Sequence, residues 1–197
     1  SGVGRMLVGM GSPKKVGVMG LGVGTLASYC APDDTFRFYE LNPAVVQVAK
    51  TDFSFLSNAS GKTEVILGDG RISLSREPLQ EYDALIIDAF TGDAIPAHLL
   101  TKQAFELYLK HLKGSGILAI NISNRHADLR RIVRSQSRYF DLTMARVRHR
   151  ARSPFGMYLS EWAIIARSAN RLESAGFEVE SPSEEPPLEW SDDFAPL

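Results

Sequence analysis

Cysteine is nearly absent: Cys30 is the only one in 197 residues. That excludes an internal disulfide framework and a thiolate metal cluster, and it suits a reducing compartment. The four histidines, His98, His111, His126 and His149, show no ligand spacing, so no metal is expected. No sign of charge dominates either. A net charge of −1 leaves no global field to attract nucleic acid or an anionic membrane. Long apolar runs are also missing. The longest uncharged stretch, Val16 to Pro32, is rich in glycine and shorter than the ~20 residues that span a bilayer. The opening SGVGRMLVGMGSPKK has no continuous apolar core and no cleavage site of a secretory signal, so the glycosylation patterns at Asn58 and Asn121 read as chance. The expectation is a cytoplasmic protein with no membrane span in this chain. Basic residues stop after Arg171, while Glu173, Glu178, Glu180, Glu184, Glu185, Glu189, Asp192 and Asp193 accumulate. Residues 1–170 therefore read as one α/β domain and 171–197 as its acidic tail, with SPSEEPP as a loose connection.

What is present is an ordinary globular composition, 44% apolar and 23% charged. Short β-rich runs alternate with segments of helical period. Strands are expected at Lys15–Met19, Thr35–Leu41, TEVILG (63–68), Ala84–Ile87 and ILAINIS (117–123). Between them come a short helix over Thr25–Ala31, a helix capped by Asn42 with Pro43 at its first position, and an amphipathic helix from Thr101 stopped by Gly114. A further helix, ADLRRIVRSQSRYF, precedes two β-like runs, LTMARVRH and YLSEWAIIAR, close enough to pair antiparallel at the sheet edge. The pattern predicts a doubly wound α/β fold with a mostly parallel seven-stranded sheet and an antiparallel edge.

Chemistry concentrates at strand ends. Gly20-x-Gly22-x-Gly24 lies between a strand and a helix, where a tight turn lets backbone approach a ligand. A dinucleotide fingerprint wants its third glycine where this chain has Thr25, so a nucleoside fits the loop better than a pyrophosphate. Glu40, twenty residues beyond Gly20, ends the second strand and is placed to accept from a ribose diol. Asp69 ends the third, where a carboxylate can accept from an exocyclic adenine amine. Asp88 ends the fourth, YDALIID. Three acids at successive strand ends point to the crevice in which open α/β sheets bind ligands. The nine arginines between Arg125 and Arg152 lack interleaved aromatics, and four of them fit one helix face. A solvated face or a contact with the acidic tail is expected there rather than nucleic acid. The tail itself, LEWSDDFAPL, reads as an apolar clip with exposed acids, or as acids on the rim of a cation pocket.

As a set, PKKVGVMGLGVGT, FYELNPAVVQVAK, GDGR and YDALIIDAF with IPAHLL resemble the polyamine aminopropyltransferases, the family of spermidine synthase, over roughly Pro13 to Arg167. DAFTGDAIPAHLLT, ISNR and WSDDFAPL look most like a bacterial branch fused to membrane-spanning segments, so the chain is also similar to the cytosolic part of a longer membrane protein. The resemblance implies a Rossmann-like S-adenosylmethionine-dependent methyltransferase fold. It implies that Glu40 holds the ribose of decarboxylated S-adenosylmethionine, with Asp69 and Gly70 facing its adenine and Gly20, Gly22, Gly24 and Leu41 completing the donor site. Asp88 would take the proton from a diamine such as putrescine, with Asp93, Tyr158 and Glu161 bordering that acceptor. A homodimer is compatible with it, and no metal is needed. The family's glycine loop carries an aspartate where this chain has Val23, and its second acid falls at Thr91, with Asp93 as the replacement. The family's N-terminal β-rich segment lies outside this chain. Two other functions fit the same residues: methyl transfer from S-adenosylmethionine to a small molecule, and a catalytically silent nucleoside-binding or interaction domain of a larger membrane protein.

Overall fold

The computed structural model describes residues 2–90, 95–124, 128–149, 160–181 and 185–194. Thirteen helices and strands are named here in chain order: α1 Gly2–Gly9, β1 Lys15–Met19, β2 Thr35–Glu40, α2 Pro43–Thr51, β3 Lys62–Leu67, α3 Gly70–Ser75, β4 Tyr82–Ile87, α4 Lys102–His111, β5 Leu112–Asn121, α5 Leu129–Tyr139, β6 Thr143–His149, β7 Ser160–Ala166 and α6 Ala169–Ser174. The strands form one seven-stranded sheet in the order β3-β2-β1-β4-β5-β7-β6. Every pair from β3 to β5 is parallel, and β7 runs antiparallel to both β5 and β6. The expected antiparallel pair thus lies at the edge, with β7 one place in.

The parallel strands read as apolar runs because both faces of the sheet are covered. On one face Leu74 of α3, Phe105 and Tyr108 of α4, Ile132 and Val133 of α5 and Trp190 of the tail pack against Tyr39, Leu85 and Ile120. On the other, Met6 and Leu7 of α1, Ala49 of α2 and Leu172 of α6 pack against Val18, Phe36, Ile86 and Ile164. The chain runs outward from β1 to β2 and β3, then returns to place β4 on the other side of β1. The direction of winding reverses at the carboxyl ends of β1 and β4, the place where open α/β sheets form their ligand crevice.

Several expectations change at element ends. Thr25–Tyr29 is a 3-10 turn rather than a longer helix. Gly114 does not stop α4. The helix ends at His111, because Leu112 is already extended and pairs with Tyr82. The register then shifts before Ala84 meets Ile117, so Gly114 lies in an irregularity of β5. Gly116 is required in that irregularity, since a Cβ there would stand 2.9 Å from the Tyr82 carbonyl oxygen. Helix α1 was not expected. Its three glycines weaken helical propensity, and burial of Val3, Met6 and Leu7 against the β6–β7 side of the sheet makes up for it. Among the described residues no helix is long and apolar enough to cross a membrane.

At the opposite end of the sheet from the crevice, Asp34 is buried beside Lys14. Its carboxylate also accepts from Ser12 Oγ at 2.6 Å, Lys14 N at 3.0 Å and Ala31 N at 2.9 Å. Burial alone would raise this carboxyl, but the bonds from Lys14, Ser12 and Ala31 outweigh it and hold it below the ordinary value. Its contribution is therefore present at neutral pH and lost as pH falls through the acid range. Asp34→Ala strands the Lys14 ammonium in the interior and is expected to cost about 3–5 kcal/mol in urea unfolding at pH 7. A loss under about 1 kcal/mol would show that the pair does not hold β1 to β2.

Candidate functional site

Strand register decides which residues share the crevice. Met19 pairs with Tyr39 on one side and Ile87 on the other, and Ile87 pairs with Ile120. The next residues, Glu40, Gly20, Asp88 and Asn121, therefore stand level across four adjacent strands, each roughly 4.8 Å from the next. Glu40 pairs with Leu67, which brings Asp69 two residues further along to the same end. The three acids singled out in the sequence are thus gathered at one edge of the sheet.

The glycine loop is built for close approach. Gly20, Gly22 and Gly24 all have positive φ, at 98°, 54° and 84°. At Gly20 a Cβ would lie 2.3 Å from the Asp88 carbonyl oxygen, so the two chain segments touch through backbone. At Gly22 a Cβ would meet nothing within 4 Å, so that turn faces open space. Glu40 fixes the loop from the side, accepting from Leu21 N at 3.0 Å and Asn42 N at 2.8 Å. Leu41 beside it is 67% exposed, and Ile72, on the first turn of α3, is 50% exposed. Gly70 lies on Met19, whose Cγ would be 2.9 Å from a Cβ there.

Asp69 caps α3, its Oδ1 accepting from Ile72 N at 2.9 Å. Its Oδ2 faces His98 Nε2 at 3.0 Å. Nothing in the sequence signals this contact, because His98 shows no ligand spacing and lies 29 positions from Asp69. The neighbouring Arg71 grips Asp192 of the tail in a two-pronged pair at 2.7 and 2.6 Å, while Thr101 Oγ1 donates to the same carboxylate at 2.7 Å. Asp192 is therefore a latch rather than a free acid on the rim. Trp190 is the expected clip: it is buried, and its carbonyl accepts from Lys102 N and Gln136 Nε2.

Asp88 is half-buried. Its Oδ1 accepts from Asn121 Nδ2 at 2.8 Å, and among the described residues Oδ2 has no partner. Burial raises the Asp88 carboxyl above its ordinary value, and the Asn121 amide opposes that only in part. Of the residues expected around an acceptor, Glu161 is fully engaged: Arg146 Nε holds one oxygen and Arg148 Nε the other at 2.9 Å. Burial would raise its carboxyl, yet the two guanidiniums keep it below the ordinary value. Asp93 and Tyr158 lie outside the described residues. The basic face of α5 meets the acidic tail, with Arg130 and Arg134 both paired to Glu180.

An ionised Asp88 costs stability above its folded-state pKa, and the cost disappears as pH falls below the ordinary carboxylate value. Asp88→Asn keeps an oxygen for Asn121 and removes the charge. Its Tm is expected to exceed that of the unsubstituted protein at pH 7, the gap closing toward about pH 4. A lower Tm at pH 7 would contradict a carboxylate strained by burial.

No family model matches the chain. A curated relative, the polyamine aminopropyltransferase of Vibrio vulnificus (strain CMCP6), is 35% identical over 114 residues, which are 55% of this chain and 38% of that protein. The match thus spans well under half the relative's length. Among solved structures, the spermidine synthase of Thermotoga maritima superposes with a TM-score of 0.64 at 14% identity, over 96% of this chain and 66% of its own. Human methyltransferase-like protein 13, solved with SAH, gives 0.65 at 19% identity over 88% of this chain and 82% of its own. The resemblance to the aminopropyltransferases read in the motifs is thus borne out, while these matches do not bear on a membrane-fused branch: the chain is similar in sequence to a polyamine aminopropyltransferase, and it shares its fold with a spermidine synthase and a methyltransferase-like protein.

Proposed function

We propose that the domain transfers an aminopropyl group from decarboxylated S-adenosylmethionine to a diamine of the putrescine type, with Asp88 as general base. The observation that carries this reading is the Asp88 carboxylate, raised by burial at the mouth of the sheet and level with Glu40 and the glycine loop. The sequence similarity to a polyamine aminopropyltransferase supports the same chemistry.

The residues fit an adenosyl group. Glu40 is held by two backbone N–H donors and retains lone pairs for a ribose diol. Leu41 and Ile72 offer exposed apolar surface at the rim, suited to the faces of a purine. Asp69 Oδ2, beside His98, is the acceptor available to an exocyclic amine. When bound, the donor supplies a sulfonium whose C–S bond breaks as the new N–C bond forms, the sulfur keeping the electron pair as a neutral thioether.

Asp88 does the remaining work. A primary ammonium with a pKa of about 10.4 is neutral in only roughly one molecule in a few thousand at pH 7, and only the neutral amine can attack. Asp88 Oδ2 takes that proton, and its negative charge draws the cation in. A raised pKa brings the base nearer the operating pH, where general-base efficiency is greatest. Glu161, neutralised by two arginines, is a poorer cation site than Asp88. The single cysteine suits the cytoplasm as the setting, whether the domain acts free or as the cytosolic part of a longer membrane protein.

Methyl transfer is the second reading, favoured by Val23 in the glycine loop, which offers no charge to a donor's amino end. Calorimetry with decarboxylated S-adenosylmethionine, S-adenosylmethionine and methylthioadenosine separates the two. Tighter binding of the decarboxylated donor is expected; preference for the carboxylated one would transfer the assignment to a methyltransferase, and binding of none would leave a silent module. Asp88→Asn is expected to leave donor affinity intact and to cut turnover with a diamine by ~10²–10⁴. Equal turnover by both proteins would remove Asp88 from the mechanism.

A further inference from the structure

We propose that Asn121 is a positioning residue for Asp88, its side-chain amide holding Oδ1 so that Oδ2 is the oxygen presented to the amine. The proposal rests on Asp88 being the base and deepens that reading.

The orientation of the Asn121 amide follows from its neighbours. Ser123 N lies 3.0 Å from Asn121 Oδ1, and a backbone N–H can only donate, so that end of the amide is the oxygen. The other end is then the NH2 group, 2.8 Å from Asp88 Oδ1. Ser123 is itself fixed, its Oγ accepting from Glu161 N at 2.8 Å, while Ile122 N donates to Glu161 O at 2.8 Å. Asn121 pairs with Trp162 across the antiparallel β5–β7 ladder. The amide is thus anchored to the sheet through a chain of backbone contacts, and Asp88 cannot rotate about its terminal bond without breaking the bond it accepts.

A neutral donor suits the task better than a cation. A lysine or arginine at the same distance would orient the carboxylate but also depress its basicity by about 1–3 units. Asn121 orients at a smaller loss of basicity. Among the described residues no charged side chain pairs with Asp88: β1 presents Gly20 and β5 presents Asn121. The other acids of the rim are turned elsewhere, Glu40 onto Leu21 and Asn42, Asp69 onto Ile72 and His98.

The test follows the carboxyl carbon of Asp88 by 13C NMR against pH, its signal assigned by its loss in Asp88→Asn. Asn121→Leu keeps the volume and removes the donor. The titration midpoint is expected to rise by about one unit. Turnover at neutral pH is expected to fall about ten-fold through misorientation of the base, with donor affinity unchanged in calorimetry. Asn121→Ala, checked by circular dichroism, serves as the second variant in case leucine perturbs folding. A midpoint that stays put in either folded variant overturns the proposal, as does turnover equal to that of the unsubstituted protein. A midpoint that moves in a protein turning over no diamine upholds the Asn121 contact and overturns the aminopropyl reading instead, so the two failures are distinct.

Discussion

Backbone meets backbone where Gly20 lies against the carbonyl of Asp88, and the crevice depends on that contact. It occurs where β1 and β4 run side by side, although 67 residues separate Gly20 from Asp88 along the chain. With no Cβ between them, the glycine loop and the end of β4 share one wall. Any larger residue at position 20 would have to displace the backbone that carries the candidate base, and its positive φ would add strain.

The acids along this edge are held in different ways. Glu40 and Asp69 each accept backbone N–H groups and so lock the loop and the start of α3 in place while keeping lone pairs for a ligand. Asp88 accepts from one side-chain amide and is otherwise pressed toward an apolar interior. The first arrangement makes fixed acceptors; the second makes a carboxylate whose charged form is uncomfortable and which gains by taking a proton. One sheet edge thus holds both fixed acceptors and a carboxyl of raised proton affinity, set by local surroundings rather than by residue type.

Away from the edge, opposite charges tie late segments of the chain to the domain. Glu180 is held by Arg130 and Arg134 of α5, and Asp192 by Arg71, the residue after the Asp69–Gly70 turn. The tail lies against α4 and α5 with its own Trp190 buried, the Trp190 carbonyl accepting from Lys102 N and Gln136 Nε2. Its grip on Arg71 links the end of the chain to the helix that Asp69 caps. Within the basic strip, Arg130 and Arg134 thus meet Glu180, and Arg146 and Arg148 meet Glu161, so these described arginines find acidic partners inside the molecule.

The sequence by itself determined the α/β alternation, the strand cores, the Asn42 cap and the acids at three strand ends, because each is a local pattern: apolar period, cap residue, or charge just past an apolar run. Helix α1 escaped it because its glycines argue against a helix, and the end of α4 because strand pairing, not Gly114, stops it. Only the tertiary structure decided that Asp88 meets Asn121, that Asp69 meets His98 and that Arg71 meets Asp192. Those contacts join residues 33, 29 and 121 positions apart. They exist because strand order and register bring distant strand ends level, and no periodicity within one segment encodes which other segment will lie beside it.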